Sequence, residues 1–291
     1  MRLLLAAAAI YSSLQGQDQT IRVHEWGVVL VDEVIPMATG APPGSMLEDP
    51  GPVLVDAPVI WFHGPDFTGT FSVELQDGFF SVLLPNPFEA ADVLLDDREG
   101  SSTLARWNGL KCMSADAEDE YLDIPVGDGT EVPGWDTNVW RRVPSLRVIH
   151  PGTGYRDSFI YYECSASGVV EDPYQLPEGE RIEVREYLGE LMPVFIRDCS
   201  SAASDRTPLS EEEVLEVLAR WGSGGFLEQE IRALWSTWEP HLETRCLEYG
   251  QAVAIYPLSP EQVERISSIT LQPDQPFDVE YSRLFLAIAS I

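Results

Sequence analysis

The first two thirds of the chain alternate short runs of β-branched and aromatic residues with segments rich in Gly, Pro and acidic residues. Such runs are typical of strands, and the segments between them are typical of loops. The first run, residues 20–31, predicts a strand with a bulge at Gly27. We expect further strands at 53–62, 70–75, 79–84, 145–149, 158–164, 181–185 and 193–197, and loops at 36–52, 96–103 and 114–138.

The sharpest local prediction is a β-hairpin. The runs 70–75 and 79–84 flank Asp77-Gly78, a dipeptide that favours a tight turn with positive φ. Apolar residues occupy alternate positions from Phe71 to Leu75, so one face of the first run should be buried. The pattern predicts two paired antiparallel strands with one buried face, as in a β-sandwich.

The last third of the chain changes to a helical period. Ser210 and Glu213 predict a capping box that opens a helix, and Gly222 should end it. A second helix is predicted from Phe226, and Pro240 should kink or end it. Its single apolar stripe consists of Leu227, Ile231, Leu234, Trp235 and Trp238. A strand at 252–256, a short helix at 260–267 and a strand at 279–289 complete the prediction.

Together these elements predict an α+β fold, with a β-sandwich-like N-terminal body and a smaller α/β C-terminal portion. We expect the body to span 17–198 and the helix-containing portion to span 199–291, packed on the body. The polar segment 198–208 is the expected seam between them.

The N-terminal sequence predicts that the protein is exported. Met1-Arg2 precedes the apolar run Leu3–Ile10, and polar residues follow from Ser12, which is typical of a signal peptide spanning 1–16. The alternative is a buried N-terminal helix. The run is shorter than the roughly 20 residues of a membrane span, and no later segment is long and apolar enough. We therefore expect a secreted or periplasmic protein with no membrane span.

The charge balance excludes some partners. Eighteen Lys and Arg stand against 48 Asp and Glu, which gives a formal net charge of -30. A surface of this sign repels phosphate backbones, so we expect no nucleic-acid partner. An acidic surface suits solubility, high salt or divalent cations, and composition does not choose among them.

Four cysteines behind a signal peptide predict two disulfides. Of the three connectivities we favour Cys112–Cys164 with Cys199–Cys246, because each pair stays within one half of the chain. Buried free thiols are the alternative.

The landmarks resemble a group of uncharacterised secreted bacterial proteins that open with His-Glu-Trp-Gly, here His24-Glu25-Trp26-Gly27. A strand like 57–62, an aromatic strand like 158–162 and a helix ending in Thr237-Trp238 belong to the same resemblance. The chain departs from the group at His63 and in its shorter C-terminal motif. The resemblance implies secretion and fold but no mechanism.

Catalytic motifs are scarce. The sequence has no Gly-x-Ser-x-Gly, no His-Glu-x-x-His and no phosphate loop. His24 and His63 lie in or beside the first two predicted strands, so a carboxylate could join them as a transition-metal or acid–base site. Glu25 is the adjacent candidate. The alternative is two structural histidines beside the sheet.

Two other features are candidate binding sites. A dense acidic stretch offers oxygen ligands for Ca²⁺, without the spacing of an EF-hand, although a solvated loop is the common alternative. Its residues are Asp116, Glu118, Asp119, Glu120 and Asp123. Trp135 and Trp140, flanked by Pro133-Gly134 and Arg141-Arg142, are candidates for an exposed ligand-binding loop.

The sequence therefore predicts a secreted, non-catalytic binding or structural envelope protein with an unknown polysaccharide or protein ligand. No cofactor is expected, with calcium as the one exception. The alternative is a secreted hydrolase, metal-dependent or not, whose site forms around His24, Glu25 and His63.

Overall fold

The computed structural model describes residues 19–31, 53–86, 103–114, 132, 134–166, 176–197 and 207–291. The predicted signal peptide, the 36–52 loop, the acidic stretch 116–123 and Cys199 lie outside the described residues. The predictions for these segments therefore stay predictions.

Thirteen strands form two sheets within the described residues, and the predicted α+β class is confirmed. The strands are β1 (Thr20–Leu30), β2 (Val53–His63), β3 (Phe67–Leu75), β4 (Gly78–Leu84), β5 (Leu104–Met113), β6 (Arg147–His150), β7 (Tyr155–Asp157), β8 (Ile160–Ala166), β9 (Arg181–Tyr187), β10 (Glu190–Ile196), β11 (Val253–Pro257), β12 (Ser267–Pro273) and β13 (Asp278–Ser290). The larger sheet has the order β10-β9-β11-β13-β1-β2-β8-β4, and the smaller has the order β12-β3-β5-β6-β7.

Two apolar layers hold the fold together, one on each face of the larger sheet. Phe62, Phe71, Trp107 and Phe285 belong to the layer shared by the two sheets. The other layer joins the larger sheet to helices. Alternate residues of β1 serve the two layers, as the pleat of a strand requires: Val23 faces the smaller sheet, whereas Trp26 faces the helices.

The helices are α1 (Thr137–Arg141), α2 (Glu211–Trp221), α3 (Glu228–Glu243) and α4 (Pro260–Ile266). The predicted capping box of Ser210 and Glu213 is confirmed, and α2 ends at Gly222 as predicted. α3 passes through Pro240 and continues into a π-helical turn at Thr244–Glu248. Of the helices described, none has the length and apolar character needed to cross a membrane.

The predicted hairpin is wrong, although both of its strands exist. β3 pairs with β5 on one edge and with β12 on the other, so neither edge is left for β4. β4 pairs with β8 in the larger sheet. The Asp77-Gly78 turn therefore carries the chain from one sheet to the other. Gly78 has φ +129°, and a Cβ atom there would stand 1.7 Å from the carbonyl oxygen of Ser165, so only glycine fits.

The C-terminal strands are built into the N-terminal sheets. β13 lies parallel to β1 over eleven residue pairs in the middle of the larger sheet, and β11 joins β13 to β9. β12 completes the smaller sheet beside β3. The boundary expected at 198/199 thus does not separate the sheets, because both halves contribute strands to each of them.

The expected Cys112–Cys164 disulfide is wrong. Both residues are buried free thiols, Cys112 on β5 of the smaller sheet and Cys164 on β8 of the larger one. Burial is the main cause that raises the pKa of each thiol, with Asp66 adding to it at Cys112 and Glu25 at Cys164. Cys246 is also a free thiol and donates to the carbonyl oxygen of Val184. Its expected partner, Cys199, lies outside the described residues.

Candidate metal centre

His24 and His63 meet on the helix-facing side of the larger sheet. β1 and β2 are antiparallel neighbours in which His24 stands opposite Trp61 and His63 stands opposite Arg22. The two histidines are therefore diagonal neighbours on one face, and their ring centroids are 4.6 Å apart. The structure thus brings together the two histidines singled out from the sequence.

Glu230, in the first turn of α3, supplies the carboxylate. Nδ1 of His24 lies 3.0 Å and 2.9 Å from its two oxygens, and Nε2 of His63 lies 2.9 Å from Oε1. The backbone N–H of Leu227 donates to Oε2 at 2.6 Å. Three elements that are distant in sequence therefore converge on one carboxylate.

The group of His24, His63 and Glu230 has the composition of a metal site. One imidazole nitrogen from each histidine and a carboxylate oxygen all lie within 4.8 Å of one another. The side chain of Glu230 is fully buried, that of His24 is 4% exposed and that of His63 is 13% exposed. His63 is thus the most exposed of the three side chains.

The carboxylate of Glu230 is held in its charged form. Burial by itself would raise the pKa of Glu230, but the hydrogen bonds and the charges of His24 and His63 outweigh burial and lower it. The N-terminus of α3 also favours a negative charge at this position. A buried anion requires compensating hydrogen bonds or positive charge, and the two histidines are the groups that contact it.

A glycine-rich loop between α2 and α3 closes the other side of the group. The ring of Phe226 lies 5.4 Å from that of His24. Ser282 is the neighbour of His24 on β13, and a Cβ atom at Gly225 would stand 2.4 Å from its Oγ. The close approach of this loop to the sheet therefore depends on glycine at 225.

Glu25, the third predicted catalytic candidate, does not join the histidines. Its side chain lies on the opposite face of β1, between the two sheets, where it is fully buried. Arg283 donates to it at 2.5 Å, and the hydroxyl of Tyr162 donates at 2.8 Å. Neighbouring residues of a strand point to opposite faces, which is the physical reason for the separation.

The tryptophans expected in an exposed binding loop are packed. Trp140 is fully buried, stacks on Tyr161 at a centroid distance of 5.3 Å and donates from Nε1 to Thr237. The expectation that Trp140 is exposed is therefore wrong. Trp135 is half-buried, and its ring lies 4.7 Å from that of His241.

Glu230 was not among the residues singled out from the sequence. A signal for it exists, because a glutamate at this position interrupts the apolar stripe of α3 between Leu227 and Ile231. A charged residue on the buried face of an amphipathic helix requires a partner. The histidines that serve as its partners are 206 and 167 residues away along the chain.

Comparison of the chain with protein-family models, with curated proteins and with solved structures gives no match. The resemblance to secreted His-Glu-Trp-Gly proteins accordingly stays a prediction.

Proposed function

We propose that the protein binds a divalent transition-metal ion through His24, His63 and Glu230. The observation that carries the proposal is the convergence of two imidazole nitrogens on one buried carboxylate. Two imidazoles and a carboxylate are a ligand set typical of Zn²⁺ and Fe²⁺ sites, whereas Ca²⁺ prefers oxygen ligands alone.

The distances suit an ion. Two donors about 2.1 Å from a metal lie about 3.0 Å apart at right angles, as in six-coordinate Fe²⁺ sites, and about 3.4 Å apart at the tetrahedral angle of Zn²⁺. The contacts of Glu230 with His24 and His63 are 2.9–3.0 Å, so the donors need only small rotations to surround a metal. The hydrogen bond from Leu227 to Oε2 fixes the carboxylate from behind, as partners of metal ligands commonly do.

The number of protein ligands favours a metal ion with one coordination position left open to water or substrate. Structural zinc sites commonly have four protein ligands, whereas three protein ligands leave a place for water. The group found among the described residues has three members. A metal-bound water becomes a nucleophile near neutral pH, which supports metal-dependent hydrolysis as the second candidate function.

The function predicted from the sequence, that of a secreted, non-catalytic binding or structural protein, stays a prediction. A buried metal is compatible with it, because an ion that joins α3 to the sheet would stabilise a scaffold as well as a catalyst. Turnover of an ester or peptide panel by the zinc-loaded protein, lost in His63→Ala, would favour the hydrolase. Zinc binding without turnover would favour the scaffold.

Thermal unfolding tests the proposed ion. A ligand at 100 times its Kd that binds only the native state stabilises it by about 2.7 kcal/mol. For a chain of 291 residues that corresponds to a rise in Tm of about 4 °C. We expect the Tm to fall after EDTA treatment and to recover with Zn²⁺, but not with Ca²⁺.

Two matched variants locate the effect. Glu230→Gln removes the buried carboxylate, whereas Glu228→Gln makes the same change in the same helical turn at a side chain that is 72% exposed. Zn²⁺ should raise the Tm of Glu228→Gln and leave that of Glu230→Gln unchanged. A wild-type Tm that is indifferent to EDTA and to Zn²⁺ would identify the group as a hydrogen-bonded structural network and contradict the proposal.

A further inference from the structure

The face of the larger sheet that carries His24 and His63 changes from apolar to charged along the strands. Trp26 and Trp61 are fully buried, and His24 lies beside them. One step further toward the end of the sheet, His63 and Arg22 stand directly opposite each other. The metal group therefore sits at the border between the core and a charged rim.

The position of this border decides from which side a ligand can reach the ion. The loop at Gly225 and Phe226 covers the ligand group near His24 and Ser282. His63 is the most exposed of the three metal ligands, and it lies on the rim side. An exchangeable position on the ion would therefore face the rim and Arg22.

The charges at this rim favour an anion. A divalent ion with two neutral imidazoles and one carboxylate retains a charge of about +1. Arg22 stands directly opposite His63, where Cβ atoms are about 5 Å apart, so its long side chain is within reach of an ion held by His63. The ion pair of Arg22 with Glu280 has an Nε–Oε2 distance of 3.6 Å, with side chains 42% and 67% exposed, so water screens it strongly.

We propose that the centre binds a small carboxylate or related oxyanion, with one oxygen on the metal and the other on the guanidinium of Arg22. A guanidinium suits this role because its planar array of N–H donors matches the oxygens of a carboxylate. The inference rests on the proposed metal centre and deepens it by assigning the class of ligand. Arg22 is the residue that would determine specificity for an anion.

A cobalt-substituted protein tests the assignment with acetate as the probe. Co²⁺ replaces Zn²⁺ in such sites, and its visible absorbance changes when a ligand enters its coordination shell. We expect acetate to change the spectrum in a saturable way, whereas acetamide, which has the same shape without the charge, should not. Arg22→Gln should weaken acetate binding at least about fivefold, without a comparable change in the affinity for Co²⁺.

Arg220→Gln is the matched control, because Arg220 is 47% exposed, pairs with Glu180 at 3.2 Å and lies over Phe195 of β10, an edge strand of the larger sheet. It should leave acetate binding unchanged. Glu280→Gln should tighten acetate binding because it removes an acid that competes for Arg22. A chain that does not bind Co²⁺ at all would overturn the metal centre itself. A Co²⁺ spectrum that does not change with acetate would overturn the anion site but not the metal centre. Equal acetate affinities in wild type and Arg22→Gln would show that Arg22 does not bind the anion.

Discussion

His24 and Glu25 are consecutive residues of β1 whose side chains lie on opposite faces of the larger sheet. His24 contacts Glu230 on the helix side, whereas Glu25 forms an ion pair with Arg283 between the sheets. Glu25 and Arg283 are also paired in the β1–β13 register. One dipeptide thus contributes to two separate polar groups, and the effects of substitutions should separate in the same way.

Glu25→Gln should destabilise the fold without changing metal binding. The substitution leaves the guanidinium of Arg283, which is 10% exposed, without its closest charged partner. Removing one member of a buried ion pair costs about 3 kcal/mol. Urea unfolding measures the loss. Glu264→Gln, at the 62% exposed second partner of Arg283, should cost less than about 1 kcal/mol. Equal losses in the two variants would contradict the account.

Gly225→Ala should disturb the loop that covers His24, His63 and Glu230. The added methyl group would stand 2.4 Å from Oγ and 3.1 Å from Cβ of Ser282, so the Ser282 side chain must rotate and the loop or β13 must shift slightly. We expect a loss of about 1–3 kcal/mol in unfolding free energy and weaker Zn²⁺ binding by calorimetry. Ser282→Gly in the same chain should restore part of both. A double variant no better than Gly225→Ala would mean that this contact does not hold the loop.

Cys112 and Cys164 should be free and unreactive in the native protein. Both thiols are buried, and their raised pKa values leave little thiolate at neutral pH. Alkylation without reductant, followed by peptide mass spectrometry, should label both residues in denaturant and neither in native buffer. A disulfide-linked peptide containing both residues would contradict the structure.

Buried tyrosines should make the fold sensitive to alkali. Burial is the main cause that raises the pKa of Tyr155, Tyr161 and Tyr162 above the ordinary value. Each group favours the native state fully below the unfolded pKa of about 10, and this contribution is lost as pH rises toward the folded value. Phenolate absorbance from these residues should appear together with loss of circular dichroism. Complete titration of all tyrosines with an unchanged native spectrum would contradict the burial.

Local signals predicted most of the elements. The capping box of Ser210 and Glu213 and the stop at Gly222 are contacts within a few residues, so the sequence pattern carries them. Strand pairing is not local, and the hairpin prediction failed because β5 and β12 occupy both edges of β3. The disulfide prediction failed for the same reason, because Cys112 and Cys164 lie on strands of different sheets.

The candidate site was only partly predictable for the same reason. His24 and His63 were recognisable because both lie on adjacent predicted strands. The two-residue period of a strand places the side chains of His24 and Glu25 on opposite faces of the sheet, which would have excluded Glu25 from the face of the histidines. Glu230 required the packing of α3 onto the sheet, and only its place within an apolar stripe pointed to it.

The most direct test of the account is the anomalous diffraction of crystals grown with Zn²⁺ and recorded on both sides of the zinc absorption edge. We predict one strong anomalous peak about 2.0–2.2 Å from Nδ1 of His24, Nε2 of His63 and an oxygen of Glu230. A density map in which these three side chains contact one another with no anomalous peak between them, at saturating Zn²⁺, would contradict the metal centre.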